Sequence, residues 1–128
     1  MPHVFEYALL RAVPRQERGE FMNVGVIVYC AALDFLCAKT YVDGDRLRVL
    51  DPQLDVEVLE TSLKHLTNSC DGTPDAGPVS GTTIGQRFRW LTAPRSTIVQ
   101  TSPAHTGWTE DPSAEVNRLF EALVLPPR

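Results

Sequence analysis

The segment RGEFMNVG, residues 18–25, sets Arg18, Glu20, Asn23 and Gly25 side by side at the mouth of an apolar run. A guanidinium, a carboxylate, an amide and a gap at this spacing can form a small polar pocket for a ligand or a partner's chain. Asn23 and Gly25 share a parity, so in a strand they point to one face. Glycine inside a strand weakens it and marks a bulge or a close approach of another group. A purely structural reading fits as well. Gly25 then accommodates a large neighbour such as Tyr7 or Trp90, Asn23 caps a bulge, and Glu20 pairs with Arg18. Arg11 interrupts an apolar stretch from Tyr7 to Val13. A buried guanidinium must be paired, and Glu20 or Asn23 would lie near it if the first two strands pair.

Two further sets can carry chemistry. Arg87, Arg89 and Arg95 occur with no acid between Gln86 and Arg95, and guanidinium forks clamp phosphate or carboxylate. The alternative is a solvated strand face paired with the acids of 43–60. His105, in SPAHTGWT, is either a general base or a hydrogen-bonded loop residue. His3 and His65 read as an exposed terminus and an exposed helix face. No nucleophile elbow, HExxH or glycine-rich phosphate loop is present. Cys30, Cys37 and Cys70 form no CxxC, so a metal is not expected and the thiols read as buried and reduced. A Cys30–Cys37 bond across a hairpin is the lesser alternative. No cofactor is expected.

These residues need a scaffold. VFEYALLRAV, residues 4–13, is apolar on both parities, which suits a strand covered on both faces and ended by Pro14, with a short helix as the alternative that period alone leaves open. MNVGVIVYCA predicts a second strand and FLCAKTYVD, residues 35–43, a third, in an antiparallel meander. Asp51 as N-cap and Pro52 at the first turn predict a helix whose core stripe is Val56, Leu59, Leu63 and Leu66. Leu54 and Val58 fall off that stripe, as fringe burial or as a small partner-facing patch. Residues 71–83 are rich in Gly, Pro, Ser and Thr and predict a loop. IGQRFRWL alternates Phe88 and Trp90 with Arg87 and Arg89 and predicts a strand. STIVQ is a further candidate strand, and TSPAHTGWTED reads as irregular. Asp111-Pro112 starts a last helix with Val116, Leu119, Phe120 and Leu123 on its apolar face. The expected class is α+β, one domain over 1–128, with an antiparallel sheet of three to five strands and two packed helices.

The chain has 128 residues, 43% hydrophobic and 22% charged, with a net charge of −4. That fills one core, and the acidic balance makes nucleic acid an improbable partner. The acids Asp43, Asp45, Asp51, Asp55, Glu57 and Glu60 outnumber Arg46 and Arg48, while 86–95 is basic, so a local anion site is compatible with the charge. No run is long enough for a membrane helix, and the N-terminus lacks signal-peptide features, so a cytoplasmic location is expected.

RGEFMNVGVIVYC, preceded by YALLRAVP and followed by TAPRSTIVQTSPAHTGWTEDP, resembles the bacterial family catalogued as domain of unknown function 3037. The likeness runs from Phe5 to about Leu123 and rests on Tyr7, Arg11, Pro14, Gly19, Glu20, Asn23 and Val24–Val26, then Arg87, Pro103, His105 and Gly107. The resemblance brings no established activity or cofactor. It implies a neighbourhood, since members are often encoded beside a HipA-type serine/threonine kinase. Two functions follow as expectations. One is a non-enzymatic interaction or regulatory module for such a kinase, with an exposed apolar patch around Leu54 and Val58. The other is a small enzyme or ligand-binding domain for a phosphorylated or nucleotide-like molecule, with a concave pocket where Asn23, Gly25 and the arginines converge. A third reading takes the order βββαβ as the start of a ribonuclease-H-like fold. It would need a metal-holding carboxylate cluster, for which Glu6, Glu57, Glu60 and Asp111 are the candidates.

Overall fold

The computed structural model describes residues 1–71, 82–94 and 97–127. The strands are β1 (His3–Ala12), β2 (Met22–Cys30) and β3 (Phe35–Thr40). Three helices follow, α1 (Gly44–Leu50), α2 (Val56–Asp71) and α3 (Ile84–Leu91), then β4 (Val99–Thr101), β5 (His105–Thr109) and α4 (Pro112–Leu123). All pairings are antiparallel, in the order β3-β2-β1-β4. β5 joins on the same side of β1 as β4: it pairs with His3–Tyr7, and β4 pairs with Leu10–Ala12.

β1 is apolar on both parities because both faces of the sheet are covered. Ala8, Leu10 and Ala12 join Val24 and Ile27 against Leu47 of α1, Leu59, Leu63 and Leu66 of α2, and Phe88 and Leu91 of α3. The opposite face sets Phe5, Val26, Val28 and Cys30 against Val116, Leu119 and Phe120 of α4. Each Val, Leu, Ile or Phe among them taken fully from water contributes about 1.5–3 kcal/mol. The three cysteines form no disulfide. The α+β class and the five-stranded sheet agree with the sequence reading, and α1 and α3 join the two expected helices.

Several local assignments change. Asp51 does not start a helix; it ends α1, whose own cap is Asp43, accepting from the Arg46 N–H at 3.3 Å. Pro52 lies in the turn between helices, where the Asp51 carboxylate accepts from the Gln53 N–H at 3.0 Å. Asp55 caps α2 instead, accepting from the Val58 N–H. Both aspartates are competent caps, but the Asp51 N–H closes α1 by donating to the Leu47 carbonyl, which leaves Asp55 to start α2. Leu54 is buried while Val58 stays half exposed, so the patch expected from the pair does not form.

IGQRFRWL is a helix, not a strand. Thr83 and Gln86 close a reciprocal capping box, at 3.2 Å and 3.0 Å. Ile84, Phe88 and Leu91 recur at helical spacing, and Phe88 and Leu91 are fully buried. The tract read as irregular contains β5, STIVQ contributes only Val99 and Gln100 to β4, and β3 stops at Thr40. Most of the predicted 71–83 loop lies outside the described residues.

Gly25 answers to a close approach. Leu10 faces Gly25 across the ladder, but Arg11 faces Asn23, so Val24 is an extra residue forming a β-bulge. The Val24 carbonyl accepts from the Tyr41 N–H at 2.8 Å. A Cβ on Gly25 would lie 2.9 Å from Leu10 Cδ1, 2.9 Å from the Lys39 carbonyl oxygen and 3.0 Å from Thr40 Cγ2. The crowding neighbours are these, not Tyr7 or Trp90. Gly25→Ala is therefore expected to lower the unfolding free energy by about 1–3 kcal/mol. Urea denaturation measures this, and a variant as stable as the parent would refute the packing constraint.

Candidate functional site

The bulge decides where the opening residues point. One extra residue between Asn23 and Gly25 reverses the alternation, so they do not share a face. Gly25 turns toward Leu10 and the α1–α3 layer. Asn23 pairs with Arg11 and turns toward α4, where its Nδ2 donates to the Leu123 carbonyl at 3.1 Å. The shared pocket expected from their spacing is thereby ruled out.

Arg11 makes no ion pair with Glu20. Its guanidinium carbon sits 4.1 Å from the centre of the Phe21 ring, a cation–π contact that shields the charge. Arg11 Nε and Asn23 Oδ1 are buried without a hydrogen-bond partner among the described residues. Glu20 instead accepts from Arg18 Nε. This side-chain hydrogen bond, with the attraction between the charges, holds the Glu20 carboxyl below its ordinary value and raises that of Arg18. The pair is local and open to solvent, as its structural reading requires.

Arg87 and Arg89 stand on α3. Arg87 is half-buried with its Nε unpaired among the described residues. Arg89 reaches Glu6 Oε1 at 3.4 Å, so one of the expected anion clamps already has a carboxylate partner. Arg95 lies outside the described residues. His105 opens β5, exposed, with its ring centre 5.2 Å from that of Tyr7 on the α4 side. The predicted residues thus fall into separate places: Arg11, Asn23 and His105 toward α4, Gly25, Arg87 and Arg89 toward α1–α3, and Arg18 with Glu20 in the loop. Among the described residues no three of His, Cys, Asp and Glu gather as a metal site. The carboxylates required by the nuclease reading therefore do not come together there.

The surface that the structure does assemble was missed in the sequence. Val4 and Trp108 are cross-strand partners and so share a face. Trp108 is 70% exposed and Val4 48% exposed. Their face is the α3 side, because Glu6, on the same parity of β1, meets Arg89, and Tyr29 stacks on Phe88 with ring centres 5.1 Å apart. A concavity of about 390 Å³ lies there, lined among others by Val4, Glu6, Tyr29, Ala31, Ala32 and Trp108. Its one available signal is the Trp108–Thr106 alternation, legible only once HTGWT is recognised as a strand.

Fold and surface together define a three-layer α+β arrangement with an open apolar corner and no assembled catalytic constellation among its described residues. The chain belongs to the family described as Protein of unknown function (DUF3037), which matches residues 7–124. No curated protein and no solved structure matches it. Among the described residues no helix is long and apolar enough to cross a membrane.

Two outcomes test these placements. Arg18→Ala should return the Glu20 carboxyl toward its ordinary range in an NMR titration. Because folding lowers that pKa, the pairing favours the fold at neutral pH and ceases to do so as pH falls through the lowered value. Asn23→Ala should cost about 1 kcal/mol in denaturant unfolding by freeing the Leu123 carbonyl. An unmoved Glu20 titration or an unchanged stability would refute the respective contact.

Proposed function

We propose that this protein works by binding another protein through the open face around Trp108, without turning over a substrate. The partner is a HipA-type serine/threonine kinase, in the bacterial cytoplasm. The observation that supports this reading is the paired exposure of Trp108 and Val4 on an uncovered sheet face. Large apolar side chains that share an exposed face mark interaction sites in small proteins, and tryptophan is the residue most enriched at interface hot spots. The kinase comes from the company that members of the resembled family keep. The half-buried Glu6 carboxylate and the Arg89 guanidinium rim the face, as polar groups rim an interface core.

The alternative is a ligand site for a phosphorylated or nucleotide-like molecule. It draws on the Arg11 Nε that has no partner among the described residues, but Arg11 and Arg87 stand on opposite sides of the sheet and cannot clamp one small anion together.

The direct test measures binding of the purified HipA-type kinase of the same genome to the immobilised protein. Trp108→Ser should weaken binding at least about tenfold, with an unchanged circular dichroism spectrum. Asn23→Ala should bind as the parent does. A kinase that does not bind, or binds Trp108→Ser equally well, would remove the reading.

A further inference from the structure

β5 is an edge strand. It pairs with β1 on one side, and among the described residues no strand pairs with it on the other. The direction of its free groups follows from β1. The Ser102 N–H donates to the Leu9 carbonyl and the Val13 N–H donates to the Ile98 carbonyl. Odd-numbered residues of β1 therefore aim their main-chain groups toward the β4–β5 side. Alternation extends this to Tyr7, Phe5 and His3, so their register partners His105, Gly107 and Thr109 turn inward. The N–H and C=O groups of Thr106 and Trp108 are left pointing outward from the sheet.

Natural edges are blunted by lysine, proline, a bulge or a covering element. The far edge, β3, carries the exposed Lys39. HTGWT carries no lysine, proline or acid, and its side chains are largely exposed.

We propose that β5 pairs with β5 of a second copy of this chain, antiparallel about a two-fold axis at Gly107. The register is self-complementary. It sets Thr106 against the second copy's Trp108 and Trp108 against the second copy's Thr106. Both residues have outward groups, so about four N–H···O=C bonds form across the axis. Gly107 meets its own copy at the closely spaced pair between them. Phe5 already occupies the place of a Gly107 side chain, with Cε1 2.7 Å from an ideal Cβ, so this position stays without one and the axis is unobstructed.

Charge agrees with self-pairing. No acid or permanent cation lies in His105–Thr109, so the two-fold brings no like charges opposite each other. Each indole gains an aromatic–β-branched contact with the facing threonine and lies diagonal to the other indole, within reach of an aromatic side chain. The interface is small, so the dimer is weak and concentration-dependent. This assembly does not rest on the kinase reading. It leaves the Val4–Trp108 face open and makes it continuous across both copies.

Sedimentation equilibrium of the purified chain, taken to the highest soluble concentration, should show a monomer–dimer equilibrium. Thr106→Pro removes an outward donor and none of the inward ones. It should raise the dissociation constant at least about tenfold. Trp108→Lys, at an exposed position, places two ammonium groups together across the axis and should do the same. On the unmodified chain, the Thr106 and Trp108 amides should exchange more slowly as concentration rises. This readout decides the matter even if Thr106→Pro fails to fold. A monomer at every concentration, a dimer indifferent to both substitutions, or Thr106 and Trp108 exchange that ignores dimerisation would each overturn the proposal. A folded Thr106→Pro chain that loses the dimer but still binds the kinase separates this inference from the functional one.

Discussion

β1 is the element on which every other contact depends. It is hydrogen-bonded along both edges, to β2 on one and to β5 and β4 in tandem on the other. It is also packed on both faces, by α1–α3 through Ala8, Leu10 and Ala12 and by α4 through Phe5 and its neighbours. A strand so enclosed tolerates few charged side chains, and the acid and the arginine it carries each have a specific neighbour. Glu6 meets Arg89 of α3. Arg11 sits beside the bulge, under the ring of Phe21.

The bulge at Val24 is the second constraint. Leu10 needs room against β2, and Gly25 supplies it by having no side chain. The extra residue then turns Asn23 to the other face, where its amide binds the last turn of α4. A glycine and an amide two residues apart thus serve two layers of the core. Their combination is a folding device that couples the two sides of the sheet. It also explains why the polar residues around the opening segment disperse rather than converge.

What remains open is a corner. α3 covers the sheet as far as Tyr29 and Glu6 but stops short of Val4 and Trp108. The same corner ends in β5, whose packing is chiefly with β1. An exposed apolar face and a strand edge with no partner among the described residues meet at this place. Both association readings draw on that physical fact, one through the face and one through the edge.

The sequence alone determined the first three strands and the last helix. Their long apolar runs, and the Asp111-Pro112 start with the helical stripe after it, agree with the structure, whereas the same cap-plus-proline signal at Asp51-Pro52 does not. The pairing of Glu20 with Arg18, one of the two readings the sequence allowed, is the one found, and it is local because the two are sequence neighbours. Tertiary structure decided the rest. Ile84–Leu91 satisfies both periods, with Phe88 and Trp90 alternating while Ile84, Phe88 and Leu91 recur at helical spacing, and only packing of Phe88 and Leu91 beneath the sheet selects the helix. Asp51 and Asp55 are equally good caps in isolation, and Asp55 takes the role because Asp51 closes α1. β5 is too short to order itself and exists because β1 offers it an edge. The facing of Asn23 and Gly25 depends on register against another strand, and register is a property of the pair, which no single segment encodes.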